Sequence, residues 1–130
     1  MVFLHGGNIN EWSGSFADIQ PIGRGDYGPG FYTWRFPEGL AGALMYASGK
    51  TMGTFDIGFI SVFSIPQQQY EQMSKKLMTG PYNATTVSSY SVLYGSLSGT
   101  MERFGNQYKF QGAGLAPLAG GFRGVIPVKN

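Results

Sequence analysis

A few short stretches of this chain carry side chains or bare backbone suited to binding and chemistry. His5 is followed at once by Gly6 and Gly7. Gly23-Arg24-Gly25-Asp26-Tyr27-Gly28-Pro29-Gly30 is a glycine-dense loop that runs straight into Phe31-Tyr32-Thr33-Trp34. Tyr46 lies in a stretch with helical spacing, and Gln107 in a late stretch with strand spacing. Glycine at such density costs chain entropy, and it suits places where backbone must approach something closely. A glycine loop, a strand with Tyr32 and a helix with Tyr46 could set two phenols on one cleft.

Several chemistries are excluded by what is missing. There is no cysteine, so thiol catalysis, disulfides and thiolate metal sites are out. The single histidine rules out a multi-histidine zinc site. A serine triad would have to use His5, and no GxSxG elbow is present. No GxxxxGK[ST] phosphate loop occurs. Gly23 through Gly28 matches GxGxxG, but no strand precedes it in a βαβ frame and Pro21 lies just upstream.

The 130 residues suffice for one domain, spanning 1–130. Charged residues make up 12%, half the usual ~25%, and the 21 glycines are about double expectation, which predicts a β-rich, loop-rich fold. A net charge of +2 permits an anionic ligand or nucleic acid without arguing for either. No apolar run approaches ~20 residues, so no membrane span is expected. The first residues, MVFLHGG, lack the cationic flank of a signal peptide, so a cytoplasmic location is expected.

The elements that must position these residues read as α+β. Val2–Leu4 reads as a strand that delivers His5 and Gly6 to its end. Phe16–Ile19 reads as one helical turn stopped by Pro21. Phe31–Trp34 has β propensity. Pro37 and Glu38 suit a first helical turn. Leu40, Ala43, Leu44 and Ala47 then recur at i, i+3, i+4 and i+7, which predicts a buried face ending near Gly49. Phe55, Ile57, Phe59, Phe63 and Ile65 share one parity of a near-central strand ended by Pro66. Ser64 and Gln67 resemble a capping box. Tyr70, Met73 and Leu77 predict a short amphipathic helix with Lys75 and Lys76 on its wet side. Thr86–Leu97 fits a helix on Val87, Tyr90, Tyr94 and Leu97, and a strand on Tyr90, Val92 and Tyr94; helix is the favoured reading. Gln107–Gln111 alternates as a strand with Gln107, Lys109 and Gln111 on one side. Gly112–Gly121 reads as a turn region around Pro117, and Phe122–Val128 as the last strand. The sum is an α+β fold with two small sheets forming a cleft and a few short helices.

In this order and spacing the motifs resemble the ADP-ribosyltransferase superfamily. The branch is the one with a His-Tyr-Glu triad, which includes diphtheria toxin and the poly(ADP-ribose) polymerases. The matching residues are Leu4-His5-Gly6-Gly7, Gly28-Pro29-Gly30-Phe31-Tyr32-Thr33, Ala41 through Ala47, and Asn106-Gln107-Tyr108-Lys109-Phe110. The closer resemblance is to a small bacterial toxin-like family of the same clan with glutamine at the third triad position. It rests on Gly23 through Tyr32, Gly80-Pro81-Tyr82-Asn83-Ala84 and Gln107 through Gln111. The resemblance spans most of the chain.

It implies an ADP-ribosyltransferase-like fold, NAD as substrate and no metal. His5 would hydrogen-bond the ribose on the adenosine side, and the Gly6 backbone would hold the nicotinamide carboxamide. Tyr32 and Tyr46 would sandwich the cationic ring, an arrangement worth ~1–2 kcal/mol. Arg24 would meet the pyrophosphate, since a planar donor suits phosphate. Gly30 and Asn83 complete the implied binding set. The implied catalytic residues are His5, Tyr32 and Gln107. Gln107 can orient a hydroxyl but carries no charge. It is native, or an inactivating replacement of glutamate, or Glu102 supplies the carboxylate instead.

The implied activity is that of a mono-ADP-ribosyltransferase toxin. It would cleave NAD through an oxocarbenium-like transition state, release nicotinamide and pass ADP-ribose to a macromolecule. Nucleic acid, RNA included, stands ahead of protein as acceptor, on the mild positive charge, on Arg103, Lys109 and Arg123, and on the many tyrosines. Toxin–antitoxin and phage-defence systems would supply an antitoxin or immunity partner. An NAD glycohydrolase that uses water, or a degenerate module that binds NAD or a partner, are the alternatives.

Overall fold

The computed structural model describes residues 1–8, 23–25, 28–49, 58–78, 83–96 and 105–128. The expected helical turn at Phe16–Ile19, together with Asp26, Tyr27, Phe55, Ile57, Pro81, Tyr82, Glu102 and Arg103, lies outside the described residues.

Strand β3 (Gly28–Phe36) is the spine, and its nine residues are long enough to serve three partners in succession. Gly28–Gly30 pairs with β2 (Gly23–Gly25), and Phe31–Thr33 pairs with β7 (Asn106–Phe110). Trp34–Phe36 pairs with β1 (Val2–Asn8). From β1 the ladder continues to β4 (Gly58–Ser64) and then β8 (Phe122–Val128). From β7 it continues to β6 (Val92–Ser96), which pairs in parallel with β5 (Lys75–Leu77). The strand order is β5-β6-β7-β3-β1-β4-β8, with β2 attached to β3. The fold is α+β, but the expected pair of small sheets is joined through β3 into one eight-stranded sheet.

Residues directly opposite in antiparallel strands share a face of the sheet. On one face Leu4, Trp34 and Ile60 pack with Ala43 and Ala47 of α1 (Leu40–Gly49) and with Val128. On the other, Phe3, Phe31, Phe63, Val92 and Phe110 pack with Tyr70 of α2 (Gln67–Glu71) and Leu118 of α4 (Leu115–Gly120). Val87 of α3 (Ala84–Val87) and Leu93 form a smaller cluster with Tyr32, Met78 and Tyr90. Both faces are covered, so apolar residues fill both parities of β4. Among the described residues no helix is long and apolar enough to cross a membrane.

Several local expectations are overturned. β1 runs on through Gly6 and Gly7, so His5 sits in mid-strand rather than at a strand end. α1 begins at Leu40; Pro37 and Glu38 belong to the turn before it, where Glu38 pairs with Arg35 at 3.3 Å. Leu40 and Leu44 face outward at 37% and 40% exposure, while Ala43 and Ala47 are fully buried. The reason is close packing: a Cβ built on Gly6 would lie 3.2 Å from the Ala43 carbonyl oxygen and 3.5 Å from the Ala47 nitrogen. Only the small face of α1 lets its backbone come that near the sheet.

The helix expected over Tyr70–Leu77 stops at Glu71, and Lys75–Leu77 is strand β5. Lys75 is not on a wet helical face; its Nζ donates to the carbonyls of Tyr70, Glu71 and Met73, capping the end of α2. No capping box forms, because Pro66 occupies the N-cap and Gln67 instead donates to Glu71 Oε1 at 3.0 Å. Thr86–Leu97 resolves against the helix reading: α3 ends at Val87 and β6 begins at Val92. The Gln111 amide holds that junction by donating to the carbonyls of Val87 and Tyr90. Residues 112–120 are helical rather than turn, a short 3-10 segment leading into α4. Pro117 is tolerated because the first helical turn has no intrahelical use for its N–H.

Candidate functional site

The expected residues come mainly from three neighbouring strands, β1, β3 and β7. Register decides which face each side chain takes. Leu4 opposes Trp34, and Tyr32 opposes Lys109. Gly6, Tyr32, Trp34, Gln107 and Lys109 therefore share the α1 face. His5, one residue from Gly6, takes the other face.

There the His5 ring stacks on Phe31, centroids 4.1 Å apart. Its Nδ1 lies 2.7 Å from the Tyr32 carbonyl oxygen. A carbonyl only accepts, so Nδ1 carries the proton in this contact. His5 and Tyr32 are thus linked through backbone, with their side chains on opposite faces. The β1–β3 ladder runs from Val2↔Phe36 to Leu4↔Trp34, whereas the β1–β4 ladder continues to Asn8↔Gly58. Gly6 lies beyond the part of β1 that β3 covers.

Tyr46 comes down onto this region. Its Cδ1 lies 3.2 Å from the position of a Cβ on Gly6, and its ring sits 5.3 Å from that of Trp34. The structure brings Gly6 and Tyr46 together. Tyr32 is on the same face, but it belongs to the cluster of Val87 and Leu93, whereas Tyr46 belongs to that of Leu4 and Trp34.

Gln107 is only 2% exposed. Its Oε1 is buried and has no hydrogen-bond partner. Leaving such an acceptor unpaired costs ~1–3 kcal/mol. Buried acceptors are nearly always paired with protein, ordered water or a ligand, so this one marks a place for such a partner.

Lys109 does not serve as one of the cations that favour a nucleic-acid acceptor. The side chain is fully buried, so it offers no surface charge to a polyanion. Its stem fills the space above Gly30, where a Cβ would lie 2.5 Å from both Cγ and Cδ. The close approach that glycine permits at position 30 is made by this lysine. Burial pushes the Lys109 ammonium down to about 8 from its ordinary value.

Of the remaining expected residues, Arg24 lies in β2 opposite Pro29, and its side chain falls outside the described residues, as does all of Glu102. Asn83 Oδ1 accepts from the Thr85 N–H at 3.0 Å, which starts α3. That is a local capping role. Lys109 is the site residue that sequence reasoning missed; its parity with Gln107, two residues away, was the available signal.

A lowered lysine value has a signed consequence. Below pH ~8 both folded and unfolded chains are protonated at Lys109, and the cost of burying charge is borne in full. Between pH ~8 and ~10.4 the unfolded chain binds the proton more, so stability rises with pH. Chemical denaturation of wild type and Lys109→Met should show wild type gaining ~1–3 kcal/mol relative to the variant across that window. A difference independent of pH would contradict the buried ammonium.

Comparison with family models, curated proteins and solved structures finds no match to this chain.

Proposed function

We propose that the protein is a mono-ADP-ribosyltransferase that cleaves NAD and passes ADP-ribose to a macromolecular acceptor. The observation that carries the reading is the buried, unpartnered Gln107 Oε1, on the same sheet face as Tyr32 and Gly6. An acceptor held there is suited to a ribose hydroxyl, whose orientation governs loss of nicotinamide. Tyr32 and Tyr46 would hold the pyridinium ring and the Gly6 backbone its amide; His5, on the other face, would act only through its bond to the Tyr32 carbonyl. Proximity and orientation supply a large share of the rate in such a reaction, a share that a neutral glutamine can serve. A toxin role, with an antitoxin or immunity partner, belongs to the same proposal.

The uncharged Gln107 also favours a second reading, a module that binds NAD without turnover. One experiment separates these. The chain is incubated with adenylate-labelled NAD and cell extract; nicotinamide release and macromolecular label are measured, then nuclease or protease is added. Release with nuclease- or protease-sensitive label is the expected result. Release without label means a glycohydrolase, and binding without release means a non-catalytic module. No binding of NAD would sink the reading.

A further inference from the structure

We propose that His5 is a positioning residue that holds β1 and β3 apart: its ring bonds the Tyr32 carbonyl in place of the Gly6 N–H, so the strands part at Gly6 and leave that backbone open to a ligand beneath Tyr46. The identity of the ligand as NAD rests on the function proposed above; the parting of the strands does not.

The pleat fixes which way the backbone of β1 points. Its register with β4 is unbroken from Val2↔Ser64 to Asn8↔Gly58. Just past the end of β4, the Ile65 N–H donates to the Met1 carbonyl at 2.8 Å. The N–H and C=O of one residue point to the same side of an antiparallel strand, and the side alternates along the chain. Met1, Phe3 and His5 therefore turn their backbone groups to β4, while Val2, Leu4 and Gly6 turn theirs to β3. The Ser61 hydroxyl, directly across from His5 on β4, donates to the His5 carbonyl at 3.3 Å, as this assignment requires. The β1–β3 ladder runs Val2↔Phe36, Phe3↔Arg35, Leu4↔Trp34 and stops. Continued in the same register, it would set Gly6 across from Tyr32, with the Gly6 N–H aimed at the Tyr32 carbonyl. His5 Nδ1 lies 2.7 Å from that oxygen. A side chain has taken the acceptor that would have closed the strands.

Ring contacts keep it there. The His5 ring stacks on Phe31, next to the acceptor residue, with centroids 4.1 Å apart. The Phe59 ring of β4 lies against Gly7, 2.9 Å from where a Cβ would be, which holds β1 to β4 beyond the split. Gly6 is buried, and Tyr46 Cδ1 lies 3.2 Å from its would-be Cβ. Buried backbone groups are nearly always paired, so the gap suits a ligand edge that offers one acceptor and one donor.

Amide hydrogen exchange of the 15N-labelled full chain reads the gap, and nicotinamide release reads the site. His5→Phe keeps a ring on Phe31 and removes the donor. The ladder should then close to Gly6, slowing exchange of the Gly6 amide about tenfold or more and cutting nicotinamide release by a similar factor. His5→Asn carries an N–H at the place of Nδ1, and His5→Gln carries one at the place of Nε2. His5→Asn should keep Gly6 exchange within about threefold of wild type and retain more release than His5→Gln. The inference is overturned if the Gly6 amide of His5→Phe exchanges as fast as in wild type or faster, or if His5→Gln preserves exchange or release better than His5→Asn. Should His5→Phe fail to fold, the comparison of His5→Asn with His5→Gln decides. If Gly6 exchange follows the expected order but wild type neither binds NAD nor releases nicotinamide, the parting of the strands stands and the proposed activity falls. If wild type releases nicotinamide while Gly6 exchange is the same in all four chains, the activity stands and the inference falls.

Discussion

Gly121→Ala is expected to destabilise the fold by about 3 kcal/mol, at the upper end of overpacking effects. A Cβ there would lie 2.2 Å from the Ser64 carbonyl oxygen and 3.0 Å from its carbonyl carbon. These are backbone atoms, so no side-chain rotation relieves the clash. The Ser64 N–H also donates to the Gly121 carbonyl at 2.7 Å, tying the end of β4 to the residue that leads into β8. Gly121 itself closes α4, its N–H donating to Leu118. Relief requires β8 to move away from β4, which would disturb the contact of Phe122 with Phe63, centroids 5.7 Å apart. The neighbouring Gly120 has nothing within 4 Å of its would-be Cβ. Gly120→Ala should therefore stay within ~0.5 kcal/mol of wild type. Thermal denaturation of the two variants checks this: a drop of roughly 10 °C is expected for position 121 and almost none for position 120. Equal melting temperatures would mean that β4 and β8 do not meet there as described.

How much of the fold is legible in the sequence depends on which physical quantity decides each element. β7 and β8 were readable because alternation of side chains is a local property of a strand. The stretch from Tyr70 to Leu77 was not, because apolar spacing fits a helix until Lys75 is seen to cap it by bonding three carbonyls. α1 misled in a different way. Their spacing places Leu40 and Leu44 with Ala43 and Ala47 on the buried face, but the sheet at Gly6 has room only for alanines. The site shows the same limit. Gly6, Tyr32, Tyr46 and Gln107 were named from their order, and three of them ride on adjacent strands. Their faces depend on register, which couples residues far apart in the chain. So the opposite orientations of His5 and Tyr32, and the burial of Lys109 against Gly30, had no local signature.

Gln107→Met is expected to make the protein more stable and to abolish nicotinamide release. Methionine fills a similar volume and adapts to irregular space. It also removes the buried Oε1 that has no partner, recovering ~1 kcal/mol or more in the ligand-free chain. The same change deletes the proposed hydroxyl contact, and losing one oriented polar group of this kind costs ~100-fold or more in rate. Stability and activity should therefore move in opposite directions, as they do where a site is held at the expense of the fold. Gln107→Glu asks a sharper question. The new carboxylate would share a buried face with the Lys109 ammonium and draw it into an ion pair. An added buried carboxylate nearby would raise the Lys109 value above 8. The expected result is slower nicotinamide release, because an ion-paired carboxylate is less open to a ribose hydroxyl, with no loss of secondary structure. Faster release would show instead that this position wants a carboxylate and that glutamine stands there as an inactivating replacement. Both variants and wild type are compared by nicotinamide release and thermal denaturation at pH 7. If Gln107→Met melts lower than wild type, the amide is serving the fold, and the orphaned acceptor loses its meaning as a binding group.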